Sequence, residues 1–160
     1  MKKLFYLFVA FTVFSCNDGD FDVPAFEFTD TIKSCGDLVL YKLNTESTEV
    51  IILSLSDTQF GETAGEKTYS ISTGSVTYRI FDEGIGDSYF CQEIPPSTPL
   101  VLKELDAESG TIIINTIEVL EDDEVTVAGY TYDISISDLL FLDNNERIFF
   151  ESFDFGTYPN

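Results

Sequence analysis

The chain has 160 residues, 44% of them apolar, and a formal net charge of −21, so it suits one domain with a core and is too apolar for an acidic disordered tail. Eight Lys and Arg against 29 Asp and Glu exclude nucleic acid as a partner and leave no basic patch for anionic headgroups. With no histidine, neither Ser-His-Asp nor Cys-His catalysis nor a His-ligated zinc or iron site can be built; the sequence assigns no catalytic residue, no metal site and no cofactor.

The first element is residues 1–15, MKKLFYLFVAFTVFS. Lys2 and Lys3 precede an apolar run from Leu4 to Phe14 that only Thr12 interrupts. A charged start and a short greasy core read as a secretory signal peptide. The run is too short to cross a bilayer as a helix, which takes about 20 residues. It ends at Cys16, within VFSC. That tetrapeptide resembles the lipobox of bacterial lipoproteins, matching at its first, third and fourth places and departing at the bulky Phe14. The resemblance implies that Cys16 is acylated and becomes the first residue of the mature chain. Two or three acyl chains, at ~0.8 kcal/mol per buried methylene, hold a protein durably where one holds it only reversibly. Residues 16–25 are then an acidic tether. Its Asp18, Asp20 and Asp22 resemble the export signal of some Gram-negative lipoproteins, which implies the outer membrane and display at the cell surface. A periplasm-facing anchor or plain secretion is the alternative. The same acids do not make an EF-hand, because counting from Asp18 the sixth and twelfth positions are Val23 and Thr29.

Residues 26–160 read as one β domain. FEFTDTI (26–32), DLVLYKL (37–43) and TEVIILSLS (48–56) open a succession of short strands. KTYSIST (67–73) and SVTYRIF (75–81) alternate cleanly with period two, and Gly74 between them predicts a hairpin. SYFCQEI (88–94) and LVLKEL (100–105) are the next strands, linked through IPPSTP, whose prolines cannot sit in a central ladder. GTIIINTIEVL (110–120) turns through Glu121, Asp122, Asp123 and Glu124 into VTVAGYTYDISIS (125–137). There the apolar parity switches at Ala128-Gly129, which predicts a bulge. A last hairpin turns around Asp143 to Glu146, where Asn tolerates the left-handed conformation. No window carries a sustained helical period; SDLLFL offers one turn at most.

About ten strands at this spacing predict an all-β, antiparallel two-sheet β-sandwich of Ig-like or Greek-key type, with a closed β-barrel as the alternative. Apart from Cys16 the chain holds Cys35 and Cys91, read as one disulfide that would staple the two sheets; two separate buried thiols are the other reading. The stretch YFCQEIPPSTPLVLKELDAESGTIIINT is similar to stretches of Gram-negative surface lipoproteins, a likeness that implies no activity.

Few residues point to a site. The four carboxylates of 121–124 would attract a hard cation such as Ca²⁺, although a solvated hairpin tip explains them as well. Weak divalent-cation binding stays open there and at Asp18–Asp22. Phe149 and Phe150 are adjacent on a strand and face opposite ways, so one looks outward, and a contact surface is expected in the carboxy-terminal hairpin. The functional expectation is a non-catalytic, lipid-anchored envelope protein that binds a protein or glycan ligand. The alternative is an accessory subunit of a larger envelope complex, docked through that hairpin.

Overall fold

The computed structural model describes residues 26–159 apart from Asp37, Asp57, Glu93, Pro95 and Asn145. The signal peptide, Cys16 and the acidic tether lie outside the described residues. Eight strands run β1 (Lys33–Cys35), β2 (Val39–Leu43), β3 (Glu49–Ser54), β4 (Gly65–Ser70), β5 (Val76–Phe81), β6 (Val101–Leu120), β7 (Val127–Asp143) and β8 (Glu146–Pro159), with one 3-10 turn at Tyr89–Cys91. All pairings are antiparallel. They form a single hydrogen-bonded path, β1-β2-β3-β5-β6-β7-β8, with β4 paired beside β6. Among the described residues nothing joins β1 to β8, so the sheet is not closed into a barrel, and no break in pairing divides it into two sheets.

β6 is the strand on which the molecule turns. Its first part, Val101 to Asp106, pairs with β5, and its second part, Thr111 to Thr116, pairs with β4. Between them β6 and β7 each carry one extra residue, so the register slips and returns: Ala107 faces Phe141, Ser109 faces Leu140, Thr111 faces Ser137. The inward parity switches there from Leu105 and Ala107 to Ile112 and Ile114, and on β7 from Ile136 to Leu139. Gly110 holds φ at +150°, and a Cβ on it would lie 2.7 Å from Ile71 Cδ1, 3.2 Å from Ser137 O and 3.3 Å from Leu139 Cα. Only glycine fits this corner without moving backbone.

The main core draws on both parts of the sheet: Ile51, Leu53 and Tyr78 pack in one cluster with Ile114, Ile134 and Phe155. β3 is buried on both faces, which is why TEVIILSLS is apolar almost throughout. Its other parity, Val50 and Ile52, joins Tyr41, Leu43 and Phe81 in a second cluster. The segment 82–100 covers that cluster with Ile85, Tyr89 and Phe90.

Several expectations are corrected. KTYSIST and SVTYRIF do not form a hairpin. The turn exists, with Gly74 at φ +79° and Ser75 N donating to Ser72 O, but it sends β4 to β6 and β5 to β3. The two strands differ in kind: β4 is almost wholly exposed and serves as an edge, whereas Val76 and Tyr78 of β5 are fully buried. FEFTDTI is not a strand. Phe26 adopts φ +48° and stacks on Tyr78 at 4.4 Å, plugging the core instead of pairing. SYFCQEI is not a strand either, since Tyr89–Cys91 makes a 3-10 turn that lays both aromatics on the second cluster. LVLKEL and GTIIINTIEVL are one continuous strand, not two, and SDLLFL lies wholly within β7.

Other expectations hold. The chain is all-β and antiparallel, and the described part of IPPSTP lies outside the strands. The bulge stands at Ala128, for Val119 pairs with Gly129 and Leu120 with Val127. The last hairpin turns between Asp143 and Glu146, with Asn144 at φ +51°.

Candidate functional site

Cys35 and Cys91 form a disulfide with Cα atoms 5.0 Å apart. It does not staple two sheets. It ties the edge strand β1 to the 3-10 turn within 82–100, beside the Lys33–Asp87 ion pair and the bond that the Tyr41 hydroxyl donates to Asp87 O. The covering segment is held further by Ile85 N donating to Ser47 O and by Leu100 N donating to Asp82 Oδ1 at 2.7 Å. Burial, and then the nearby Asp87 carboxylate, raise the pKa of the Tyr41 phenol.

The acidic turn 121–124 is built by one of its own carboxylates. Asp123 Oδ1 accepts from Val125 N and Thr126 N, and Oδ2 accepts from the Thr126 hydroxyl. These bonds, the Thr126 hydroxyl foremost, hold the fully exposed Asp123 below the usual carboxylate range. Asp123 is therefore a turn residue, and among the described residues no three metal-ligating side chains converge here or elsewhere.

An open depression of about 290 Å³ lies between Glu27 and the turn 44–49, lined by Glu27, Asn44, Thr45, Glu46 and Glu49. Two of its polar groups are already engaged. Asn44 Oδ1 accepts from Thr48 N and Glu49 N, and Glu49 Oε2 accepts from the buried Tyr78 hydroxyl at 2.6 Å. Burial first, and then Glu49, push the Tyr78 pKa far above that of a free phenol. This hydrogen bond couples the rim of the depression to the core, and sequence reading missed it because Glu49 and Tyr78 are 29 residues apart.

Apart from Ile94 and Leu100–Leu102, the exposed large apolar side chains among the described residues fall on two surfaces. One is in the carboxy-terminal hairpin, where Phe149 is 52% exposed beside the exposed Leu142, while Phe150 turns inward against Phe26 at 4.8 Å. The expected split between Phe149 and Phe150 is thus what the structure has. The other surface was not anticipated. β4 pairs with β6 only as far as Thr116, and β8 pairs with β7 only as far as Thr131. Beyond these points, among the described residues, Ile117–Leu120 pairs only with Val127–Thr131, forming a two-stranded arm tipped by the acidic turn. Ile117, Val119, Leu120, Val125 and Val127 on this arm are between 39% and 80% exposed. The bulge at Ala128 signalled where the core ends: past it there is no inward face to restore.

No helix among the described residues is long and apolar enough to cross a membrane. No protein-family model, no curated protein and no solved structure matches the chain.

Proposed function

We propose that this chain is a lipid-anchored protein of the bacterial outer membrane, exposed at the cell surface, that acts by binding or adhesion rather than catalysis. The observation that carries the reading is the Cys35–Cys91 disulfide. Disulfides persist in oxidising compartments, so the pairing supports export, and it accounts for every cysteine except Cys16. Cys16 stands where a signal peptide meets an acidic tether, which is where acylation would put an anchor. The absence of histidine and the commitment of Asp123, Asn44 and Glu49 to internal hydrogen bonds favour a binding role over a hydrolytic one.

We further propose that the bent sheet forms two facing layers, a β-sandwich. Support comes from the shared cluster of β3, β5, β6, β7 and β8, and from Gly156 on β8, whose Cβ would lie 3.4 Å from Ile32 at the opposite end of the strand path. Exposed Phe149 favours the second reading, a subunit docked through the carboxy-terminal hairpin.

The anchor is tested by feeding cells an alkyne fatty acid and fractionating them. The native chain should carry the label in the membrane fraction, and Cys16→Ala should lose it and appear in the soluble fraction. An unlabelled, soluble native chain would overturn the proposal. External protease reaching the protein on intact cells tests surface display. Phe149→Ser abolishing a co-purifying partner would move the weight to the subunit reading.

A further inference from the structure

A two-stranded ribbon standing alone in water is marginally stable, and its backbone edges are unpaired. The arm formed by 117–130 is such a ribbon, about 13 Å long beyond the last neighbouring strands. Proteins usually blunt such edges with Lys, Pro or a bulge. Here the β7 edge is blunted by the extra residue Ala128, and the neighbouring strand on that side ends in Pro159. The β6 edge, Ile117 to Leu120, has neither Lys, Pro nor an extra residue, and its one charge is Glu118. It begins where β4 stops, at the pair Gly65 and Thr116.

The charge carried by the arm itself is of one sign. Glu118 and the four acids of 121–124 lie on the arm, and no Lys or Arg occurs between Lys103 and Arg147. A second copy of the chain would bring the same acids against these and repel. Anionic lipid headgroups are repelled in the same way.

From this geometry we infer that the arm is a docking edge for an extended, basic segment of a partner protein, which adds itself as a strand alongside Ile117–Leu120 and continues the line of β4. Main-chain hydrogen bonds would supply the pairing, Ile117 and Val119 on one face and Leu120 and Val127 on the other would be covered, and Lys or Arg at the ends of the segment would meet the acidic tip. This deepens the binding role proposed above and does not depend on the lipid anchor.

The probe is a synthetic heptapeptide, Lys-Val-Thr-Val-Thr-Val-Lys, titrated onto the purified, disulfide-intact chain by NMR. Amide signals of Ile117–Leu120 should shift and those of the carboxy-terminal hairpin should not. The triple variant E121Q/D122N/E124Q, which leaves Asp123 to hold the turn, should weaken binding roughly tenfold and flatten its salt dependence. A peptide N-methylated at alternate amides, unable to pair, should not bind. The inference is overturned if the heptapeptide does not bind, if the N-methylated peptide binds as well, or if the triple variant binds unchanged. It is also overturned if sedimentation shows the arm already occupied by a second copy. Each of those results leaves the fatty-acid labelling of Cys16 unaffected, so the two proposals fail separately.

Discussion

Asp123 and Tyr78 show how single side chains set the local structure. Asp123 keeps its proton off because three donors in its own turn, the Thr126 hydroxyl foremost, favour the carboxylate. A depressed carboxyl pKa contributes order above the unfolded value, near 3.8, and loses it as the pH falls through the lower folded value. An NMR titration should therefore find Asp123 ionising below the ordinary range, and Thr126→Val should raise its midpoint. Tyr78 has the opposite sign. Its buried hydroxyl donates to Glu49, so the folded state favours the neutral phenol, and Tyr41 behaves likewise. Their stabilisation is complete below pH 10, the unfolded value, and declines as the pH rises beyond it. Tyr78→Phe should cost about 1.5–3 kcal/mol in a denaturant melt at neutral pH, the worth of a hydrogen bond to a charged acceptor. It should also flatten the alkaline limb of the stability profile.

At the scale of the element, long strands carry the architecture and small irregularities aim them. Alternation in SVTYRIF and DISIS was enough to place strands, and Asn144 and the EDDE turn marked where the chain reverses. Pairing was not legible in the same way, because a turn fixes where a strand ends and not which strand it meets. The turn at Ser72–Ser75 looked like a hairpin tip, yet exposure on β4 and burial on β5 send the strands to different neighbours. Phe26, Tyr89 and Phe90 were read as strand residues from their type, whereas they act as plugs, Phe26 against Tyr78 and Phe90 against Tyr41 being contacts between segments far apart in the chain. Gly110 marked the start of a strand in the sequence and is the kink inside one. Gly110→Ala should destabilise the fold by about 1–3 kcal/mol, since the new methyl meets the backbone at Ser137 and Leu139 in a backbone region that favours glycine. Reduction of Cys35–Cys91 should remove up to about 4 kcal/mol on the chain-entropy account of a 56-residue separation. Hydrogen exchange should rise most over 82–100 and less over β6, β7 and β8, because the bond also latches the cover of the second cluster and does not touch the main core.

For the whole molecule, charge and cysteine usage say more than any single site. An acidic surface, no histidine, one disulfide and one further cysteine at the end of an apolar leader are what the proposed exported domain, held at a surface through one atom, would carry. The acidic arm projecting from the sheet then gives that domain a place to meet a partner. The proposed anchor was legible because targeting segments are read by composition and order, which a sequence carries directly. The arm was not, because an exposed edge is defined by where its neighbours stop, and that depends on pairings between residues such as Gly65 and Thr116, 51 positions apart by number. The most direct measurement is the intact mass of the protein isolated from its native cells. The account predicts a chain that begins at Cys16 and carries a diacylglycerol with or without a further acyl group. A chain that begins at Met1, or at an unmodified Cys16, would contradict it.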